Sequence, residues 1–317
     1  MMNLEQARFN INPVLSGIFL GVGQGTKTAE ALFPKIPMAL RGGTVPRMGT
    51  ESLRRYDLAR APGADTRRVD LHWDGVVVTV KQKAVDIPIP REFIDQASNA
   101  SRTMNVSANI DISTVAMTTA MEILNNDYEA DAAVIAANPA SYAVGNVLAL
   151  AGATKWSAAT GTPLSDLDNA SNAIRQKVGR SPNVLHLSAV AFQALKRNPQ
   201  ILNAMSTTAV KVLTPQLLAT MLGFESVVVG DAVVEGTGGV MSDLWGNNAI
   251  LAFAPVVSGN AVVGQPAFGM TNILIGHPFA EQPWYDNEAK TWVYGATYER
   301  SPQIADNRAG FLIQNPF

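Results

Sequence analysis

Apolar residues recur every three or four positions between residues 106 and 137, which is the pattern of one long helix. Asn138-Pro139 follows, and an X-Pro pair at this place predicts the end of the helix. A helix of about 30 residues is far longer than the globular mean of about 11–12 residues. The residues on its apolar face are Val106, Ile110, Met117, Met121, Leu124 and Tyr128.

A second pattern, alternation of apolar and polar residues, covers residues 69–80. The apolar residues occupy odd positions before Gly75 and even positions after it: Val69, Leu71 and Trp73, then Val76, Val78 and Val80. A change of phase at a glycine is typical of a β-bulge. The pattern predicts a long β-hairpin from about residue 45 to residue 89, with its tip at Ala61-Pro62-Gly63-Ala64.

Helices are predicted between residues 160 and 223 from their end signals. The first has Ser165 and Asp168 at the spacing of a capping box and ends at Gly179. Its apolar face consists of Leu167, Ala170, Ile174 and Val178. The next two begin at Ser188 and at Thr214-Pro215, and they end before Asn198-Pro199 and at Gly223.

The remaining apolar runs predict strands. In the central region these are NVLHL (183–187), the buried strand SVVVGDAVV (226–234) and AILAFA (249–254). The tail returns to antiparallel β structure, with TNILIG (271–276) and a hairpin in PWYDNEAKTWVYG that turns at Asp286-Asn287. The first 40 residues have no sustained period, which predicts an extended arm with one short helix around Thr28 to Leu32.

The composition indicates a chain whose surface is largely covered by other chains. Of 317 residues, 47% are apolar and only 16% are charged, where about 25% charged is usual. A monomer with so few charges would have trouble staying soluble, so we expect copies of the chain to cover one another. The net charge of −2 argues against a general nucleic-acid binder, which has a strongly basic domain.

No segment predicts a membrane span or a signal peptide, so we expect no membrane partner. The uncharged stretches 132–154 and 244–280 are interrupted by Asn, Pro, Ser and Gly, and neither supplies about 20 mostly apolar residues in a row. The apolar run at 14–22 has no basic leader. The chain has no cysteine, which excludes disulfides and thiolate chemistry.

No group of residues predicts catalysis, a metal site or a cofactor. GVGQGT (21–26) has the glycines of a phosphate-binding loop, but it lacks the preceding strand and the following helix that such a loop needs. The histidines, which are His72, His186 and His277, have no Asp or Glu at a ligand interval. The serines lack the strand–turn–helix elbow of a hydrolase. We therefore do not expect an enzyme.

Residues 41–70 contain seven arginines and no lysine. Nucleic acid, an anionic substrate and a neighbouring protein surface could each use such cations. Arginine pairs with carboxylates in a planar, bidentate way and is weakly hydrated, which suits protein contacts, whereas nucleic-acid binding favours mixed Lys and Arg with interleaved aromatics. We expect contacts between subunits, made by Arg47, Arg54, Arg55, Arg60, Arg67 and Arg68.

The order of these elements resembles the major capsid proteins of tailed bacteriophages. KQKAVDIPIPREFIDQ (81–96) is similar to the descent from that family's extended hairpin, the E-loop, to its spine helix. Residues 163–202 resemble the helix, strand and helix of the axial domain, and LLATMLGFESVVVGDAV (217–233) resembles the passage that follows. The ending at 298–317 is similar to the close of the peripheral domain.

The resemblance implies an α+β fold of the Hong Kong 97 type. The implied parts are an N-terminal arm (1–40), the E-loop hairpin (41–90), a peripheral domain with the spine helix (91–139), an axial domain (140–265) and a peripheral C-terminal β return (266–317). It also implies a structural shell subunit of the virion, assembled in the host cytoplasm into hexamers and pentamers. An encapsulin-type nanocompartment protein has the same fold and is the alternative. A soluble α/β enzyme that uses the GVGQGT loop is a more distant one.

The resemblance implies partners besides other copies of the chain. Packaged DNA would be held without sequence reading, and Arg8, Lys27 and Lys35 are the candidate DNA-facing residues of the arm. A portal protein and optionally a decoration protein are expected. The chain begins close to the arm, without the scaffolding extension of some members, so a separate scaffolding protein is expected.

Some relatives lock their shells by an isopeptide bond between an E-loop lysine and a neighbouring asparagine. This chain has no lysine between Arg41 and Val80, and a guanidinium cannot replace the neutral amine. Lys81 and Lys83 lie near the base of the hairpin. We therefore predict a shell held by non-covalent contacts alone.

Overall fold

The computed structural model describes residues 27–48, 51–70, 73–95, 112–205, 212–236, 238–257, 260–261 and 265–317. Arg8, the GVGQGT loop, His72, Val106 and Ile110 lie outside these residues. The helices are α1 (Ala29–Leu32), α2 (Ile112–Ala137), α3 (Pro163–Val178), α4 (Ala189–Arg197), α5 (Pro199–Met205) and α6 (Pro215–Leu222), and residues 91–95 are also helical.

The strands are arranged in two sheets and two separate hairpins. In chain order they are β1 (Lys35–Met38), β2 (Gly42–Met48), β3 (Trp73–Thr79), β4 (Lys81–Pro90), β5 (Val147–Ala149), β6 (Val184–Ser188), β7 (Ser226–Gly230), β8 (Val233–Glu235), β9 (Met241–Asp243), β10 (Asn248–Ala252), β11 (Val256–Val257), β12 (Asn260–Ala261), β13 (Gly269–Leu274), β14 (Phe279–Ala280), β15 (Trp284–Asp286), β16 (Thr291–Ile304) and β17 (Gly310–Gln314). The large sheet has the order β11-β12-β1-β13-β16-β14, with β15 and β4 also paired to β16. The central sheet has the order β5-β17-β10-β6-β7, and β2-β3 and β8-β9 form the hairpins.

Helix α2 confirms the predicted long helix within the described residues. It ends at Ala137, and the side chain of Asn138 accepts a hydrogen bond from the Ala140 N–H as Pro139 redirects the chain. Its predicted face is buried: Met117, Met121 and Leu124 pack with residues of the large sheet, and Tyr128 lies in the main core. The helix therefore contributes residues to two hydrophobic clusters, the main core and the cluster at the large sheet.

The helices of the central region begin and end largely where their signals predict. Gly179 has φ of 75° after α3, which is the left-handed conformation of a helix C-terminus. Ser188 caps α4, and Thr214 caps α6 before Gly223 ends it with φ of 72°. The predicted capping box is wrong. Helix α3 begins earlier, because proline suits the first helical position and Pro163 takes it.

The predicted buried strand SVVVGDAVV is two strands of different exposure. β7 ends at Gly230 and lies at the edge of the central sheet, so its valines are only half-buried. β8 begins at Val233 and pairs with β9 in an exposed hairpin. An apolar run alone does not tell a buried strand from one that awaits a partner.

The predicted β-hairpin of residues 45–89 is shorter than expected and has no bulge between its strands. β2 pairs with β3 in constant register from Gly42↔Thr79 to Met48↔Trp73, so Gly75 lies opposite Pro46. The absence of a side chain at Gly75 has another explanation, because a methyl group there would lie 2.3 Å from Thr44 Cγ2. β4 leaves the hairpin and pairs with β16 over ten residues. In the large sheet, Val85 and Ile87 pack with apolar residues of α2. An isolated two-stranded hairpin would not give them these neighbours.

The predicted arm of residues 1–40 is part of the folded body from residue 27. The short helix is confirmed as α1, and Ala29, Leu32 and Phe33 are fully buried in the main core. β1 pairs in parallel with β13 inside the large sheet. Because these apolar side chains are completely buried, they hold residues 27–38 in place. This segment is therefore not an extended arm.

The tail follows its predicted antiparallel pattern in β13, β15 and β16. Its last strand departs from that pattern. β17 lies in the central sheet, antiparallel to β10 and parallel to β5, instead of returning to the large sheet. The division of the chain into domains at residues 40, 90, 139 and 265 stays a prediction.

Candidate assembly surface

Residues 51–70 lie between β2 and β3 along the chain. Strands β2 and β3 together with residues 51–70 are called the ribbon below. Its arms are held together by the Arg67 guanidinium over the Tyr56 ring, 5.5 Å from the ring centre, and by a hydrogen bond of 3.2 Å from Arg60 to Thr66. At the predicted tip, the Ala64 N–H donates to the Ala61 carbonyl. Gly63 has φ of 85°, as the third residue of a type II turn requires.

The ribbon presents unpaired cations and apolar groups to the outside. Arg54, Arg55 and Arg68 are exposed, and no carboxylate lies within ion-pair distance of them among the residues that the structure describes. Leu58 is 72% exposed. Arg47 lies in β2 opposite Asp74. A ribbon of this kind cannot form a core of its own, so it is suited to contact another surface.

The predicted intersubunit arginines differ in what they already contact. Arg60 and Arg67 stabilise the ribbon itself through Thr66 and Tyr56. Arg54, Arg55 and Arg68 form no ion pair with any carboxylate among the described residues, so they are available to another surface. Their role between subunits stays a prediction.

Arg41, the first arginine of the run, anchors the base of the ribbon to the body. Its Nε donates to Glu299 Oε2 at 2.7 Å and its Nη2 donates to Oε1 at 2.6 Å. Glu299 is only 2% exposed in its side chain. Hydrogen bonds with Glu299 raise the pKa of Arg41, and the same bonds lower the pKa of Glu299. The sequence could not single out this arginine, because its partner lies 258 residues away.

Glu129 of α2 is a fully buried carboxylate that binds two distant segments, and sequence reasoning missed it. Its Oε1 accepts from the Thr28 N–H at 2.9 Å, the Thr28 hydroxyl at 2.7 Å and Trp245 Nε1 at 2.9 Å. Its Oε2 accepts from the Ala29 N–H at 3.1 Å. A signal was present, since Glu129 falls between the buried Asn125 and Ala132 on the apolar face of the helix. We name Glu129, Thr28 and Trp245 the Glu129 cluster.

His186 of β6 completes the surroundings of the Glu129 cluster. Its Nε2 lies 2.8 Å from the Thr28 hydroxyl oxygen. Because the single proton of that hydroxyl goes to Glu129, Nε2 carries a proton and donates. The imidazole lies against the Trp245 indole, with ring centres 3.9 Å apart. Burial lowers the pKa of His186 to about 3, so this histidine is neutral and structural.

Arg300 of β16 is a buried cation that holds the sheet to α2. It donates to Asp127 at 2.6 Å and to Asp131 at 3.1 Å. Its guanidinium carbon also lies 4.9 Å from the ring centre of Tyr128. Lys83 of β4 pairs with the same two aspartates at 3.3 Å and 3.5 Å. Helix, β16 and β4 are thus fastened where the ribbon leaves the body.

The candidate DNA-facing lysines of the predicted arm have partners in their own chain. Lys27 donates to the Asn126 side-chain oxygen. Lys35 forms an ion pair with Glu30. A contact of either lysine with phosphate stays a prediction.

The described part of the chain offers neither a metal site nor a membrane-spanning helix. It contains no group of three or more His, Cys, Asp or Glu residues arranged to hold a metal ion. Among the same residues, no helix is long and apolar enough to cross a membrane. His277 accepts a hydrogen bond from the Glu299 N–H, and burial lowers its pKa.

Comparison with known proteins decides the family. The family described as Phage major capsid protein E matches residues 142–296. A major capsid protein of Burkholderia phage BcepMu is 27% identical over 305 residues, which are 96% of this chain and 95% of that protein. A phage-related protein of Bordetella bronchiseptica RB50, known from a crystal structure, is 31% identical, covers 97% of both chains and has a TM-score of 0.79. The chain belongs to the phage major capsid protein family.

The fold of this capsid protein is confirmed as α+β of the Hong Kong 97 type. The capsid structure of the cyanophage P-SCSP1u shares that fold at 11% identity, with 92% of this chain and 89% of that one covered and a TM-score of 0.57. As a phage major capsid protein, the chain is a structural protein of the virion shell and not an enzyme. The soluble-enzyme alternative is therefore wrong, and the encapsulin alternative is secondary.

Proposed function

We propose that this capsid protein forms hexamers and pentamers that close into an icosahedral shell around phage DNA. We further propose that assembly takes place in the host cytoplasm, with a separate scaffolding protein, a portal protein and optionally a decoration protein. The observation that carries the proposal is the ribbon, which is hydrogen-bonded to the body at its base and has exposed residues at 57–70. Self-assembly into capsid oligomers belongs to the family, and the ribbon is the element suited to reach a neighbour.

The ribbon contributes to assembly chiefly through Arg54, Arg55 and Arg68. Exposed arginines without an acid nearby are available to carboxylates of another copy. An exposed pair contributes on the order of 1 kcal/mol or less, and a desolvated, bidentate pair contributes more. Leu58 adds apolar area, so a contact that covers it also excludes water from the arginines. Summed over the many copies of a closed shell, small contributions of this size suffice for a stable particle.

DNA is held inside the shell by charge alone. Arg8, Lys27 and Lys35 are the proposed DNA-facing residues. Lys27 and Lys35 each have a partner in their own chain, so contacts with phosphate add to or replace those bonds. Binding of this kind weakens steeply with salt and does not depend on sequence. A net charge of −2 for the whole chain agrees with an inner surface that tolerates DNA rather than grips it.

One experiment tests the proposed shell and its contents. The full chain is expressed with and without a candidate scaffolding protein, and the product is examined by electron microscopy. We expect closed particles of hundreds of copies, and particles from infected cells should contain nuclease-protected DNA. Monomers or dimers alone, with the scaffold present, would contradict the shell. Closed particles that contain a protein cargo and no nucleic acid would instead support the encapsulin-type alternative.

A further inference from the structure

The turn at the start of the ribbon, Glu51–Leu53, leans on the end of α3 in its own chain. Leu53 lies over Gly179, the residue that ends α3. A methyl group at Gly179 would lie 2.6 Å from Leu53 Cδ2 and 3.3 Å from Cδ1. The missing side chain therefore leaves a shallow seat that the leucine occupies. The turn Glu51–Leu53 is called the Glu51 turn below.

A cation near the end of α3 adds an electrostatic attraction to this apolar contact. Arg308 lies in the turn Asn307–Ala309, which contacts α3. Its guanidinium is held by Asp306, with Nη2 at 2.7 Å from Oδ2 and Nε at 2.9 Å from Oδ1. Hydrogen bonding with Asp306 raises the pKa of Arg308, and the charge of Glu51 raises it further. Glu51 and Arg308 thus attract each other. Gly179 and Arg308 are called the α3 seat below.

The contact within one chain is incomplete. Leu53 stays 54% exposed while it lies on Gly179. The ribbon joins the body at residues 39–41 and at Val80, whose N–H donates to the Arg41 carbonyl. A ribbon attached at one end, with a contact part-way along it, can reach a second copy of the same seat by a change of direction at that attachment.

We propose that in the shell the Glu51 turn of one copy occupies the α3 seat of a neighbouring copy. This inference rests on the proposed function. All copies carry the same turn and the same seat, so exchanging the contact between copies keeps both the leucine–glycine contact and the Glu51–Arg308 attraction. The exchange therefore loses little. It gains the free energy of burying the exposed surface of Leu53 and Leu58 and of pairing Arg54, Arg55 and Arg68 with the neighbour.

The absence of cysteine from the chain allows a direct test by introduced disulfides. Leu53→Cys and Gly179→Cys are combined in the full chain, which is oxidised with diamide before and after assembly. Products are separated by SDS gel without reductant. We expect an intrachain disulfide in the unassembled subunit. In closed particles we expect a ladder of covalent oligomers that extends to five and six copies.

The controls separate exchange from chance collision. Each single variant should give no ladder beyond a dimer, and Leu58→Cys with Gly179→Cys should cross-link much less, since Leu58 is further along the ribbon. Gly179 has φ of 75°, where a side chain is strained. A second variant, Leu53→Cys with Arg180→Cys and a short bis-maleimide, therefore repeats the test at the adjacent residue if the first fails to fold.

The outcomes distinguish this inference from the proposed function. Intact particles with only intrachain cross-links, or with none, would overturn the exchanged contact and leave the shell function standing. A cross-linked product of subunit and scaffold, without subunit oligomers, would overturn it as well. If the unaltered chain forms no particles with its scaffold, the proposed function fails first, and the inference fails with it.

Discussion

Glu129 places a carboxylate with no exposed surface among donors from two distant parts of the chain, residues 28–29 and Trp245. Its acceptor oxygens satisfy two backbone N–H groups, a hydroxyl and an indole N–H. A buried donor that loses its acceptor costs more free energy than the hydrogen bond is worth in water. These polar contacts at Glu129 hold the N-terminal segment to the body together with the burial of α1 and the pairing of β1 with β13.

We predict that Glu129→Gln lowers the free energy of unfolding of the unassembled subunit by about 2–4 kcal/mol. The amide replaces one acceptor oxygen by an NH₂ group, which would face a donor. Denaturant titration measures the change. Glu122→Gln is the matched control, since Glu122 is exposed on the same helix, and it should change stability by less than about 0.5 kcal/mol. Equal effects of the two substitutions would contradict the role of the cluster.

His186 makes the stability of the folded subunit depend on pH. Its pKa in the folded chain is about 3, whereas an unfolded histidine has a pKa of about 6.5. Below pH 6.5 the unfolded chain binds a proton that the folded chain does not, so stability falls as pH falls from about 6.5 towards 3. Between pH 7 and pH 5 the loss is about 2 kcal/mol.

The His186 prediction is tested by the pH dependence of unfolding rather than by stability at one pH. His186→Gln should lose about 2 kcal/mol less than the unaltered chain between pH 7 and pH 5. His277→Gln is the comparison, because His277 is less buried and its lowered pKa is opposed by the charge of Glu299. A His186→Gln variant with the same pH dependence as the unaltered chain would show that His186 is protonated without cost.

The residues that sequence reasoning missed share one physical property, which is a distant partner. Glu129 binds residues 101 and 116 positions away, and Arg41 binds Glu299 across 258 positions. Local patterns predict which face of α2 is apolar, but they do not say what a polar residue on that face meets. Arg41 looked like the other arginines of its run for the same reason.

At the scale of elements, the base of the ribbon attaches it to the body, and the rest of the ribbon carries exposed arginines. Arg41 and Val80 fasten the base, and Tyr56 with Arg67 and the Ala61–Ala64 turn hold the arms together. Arg54, Arg55 and Arg68 are exposed. Substitution of these exposed residues should therefore leave the fold of the subunit intact. Substitution of Arg41 would instead release the ribbon from Glu299.

We predict that Arg54→Ala with Arg55→Ala leaves the subunit folded and reduces the yield of closed particles several-fold. The loss of two exposed cations removes contacts to a neighbour at little cost within the chain. Circular dichroism measures folding, and sedimentation with electron microscopy measures assembly. Lys196→Ala with Arg197→Ala removes an adjacent exposed pair on α4 and should assemble normally. Normal assembly of the Arg54/Arg55 variant at raised salt would refute the interface role.

Elements with local signals were predicted well, and those that depend on sheet pairing were not. The end of α2 at Ala137, the Gly179 terminus of α3 and the Ser188 cap of α4 follow from the residues at each end. The switch of β4 from the hairpin to β16, and the entry of β17 into the central sheet, depend on partners far along the chain. Alternation shows that a strand exists but does not show where it pairs.

At the scale of the whole molecule, few groups on the ribbon could form a covalent bond to a neighbour. It has no lysine between Arg41 and Val80 and no cysteine, and guanidinium stays protonated. Lys83, near its base, is held by Asp127 and Asp131. A shell of this chain is therefore expected to depend on non-covalent contacts throughout.

We predict that mature particles boiled in SDS release a single band near 33.7 kDa. Non-covalent contacts do not survive this treatment, whereas isopeptide bonds do. The unassembled subunit on the same gel is the control for mobility. A ladder of pentamer- and hexamer-sized bands from particles, absent from the unassembled subunit, would show that another lysine forms cross-links.

The Glu129 cluster also sets an order of events during synthesis. Thr28 leaves the ribosome long before its partners, since Glu129 follows 101 residues later, His186 follows 158 later, and Trp245 lies 116 beyond Glu129. At about 5–20 residues per second, the N-terminal segment waits on the order of ten seconds or more for the last of them. A nascent chain therefore completes its anchorage only when most of the central sheet has emerged, and truncated products would lack a fixed N-terminal segment.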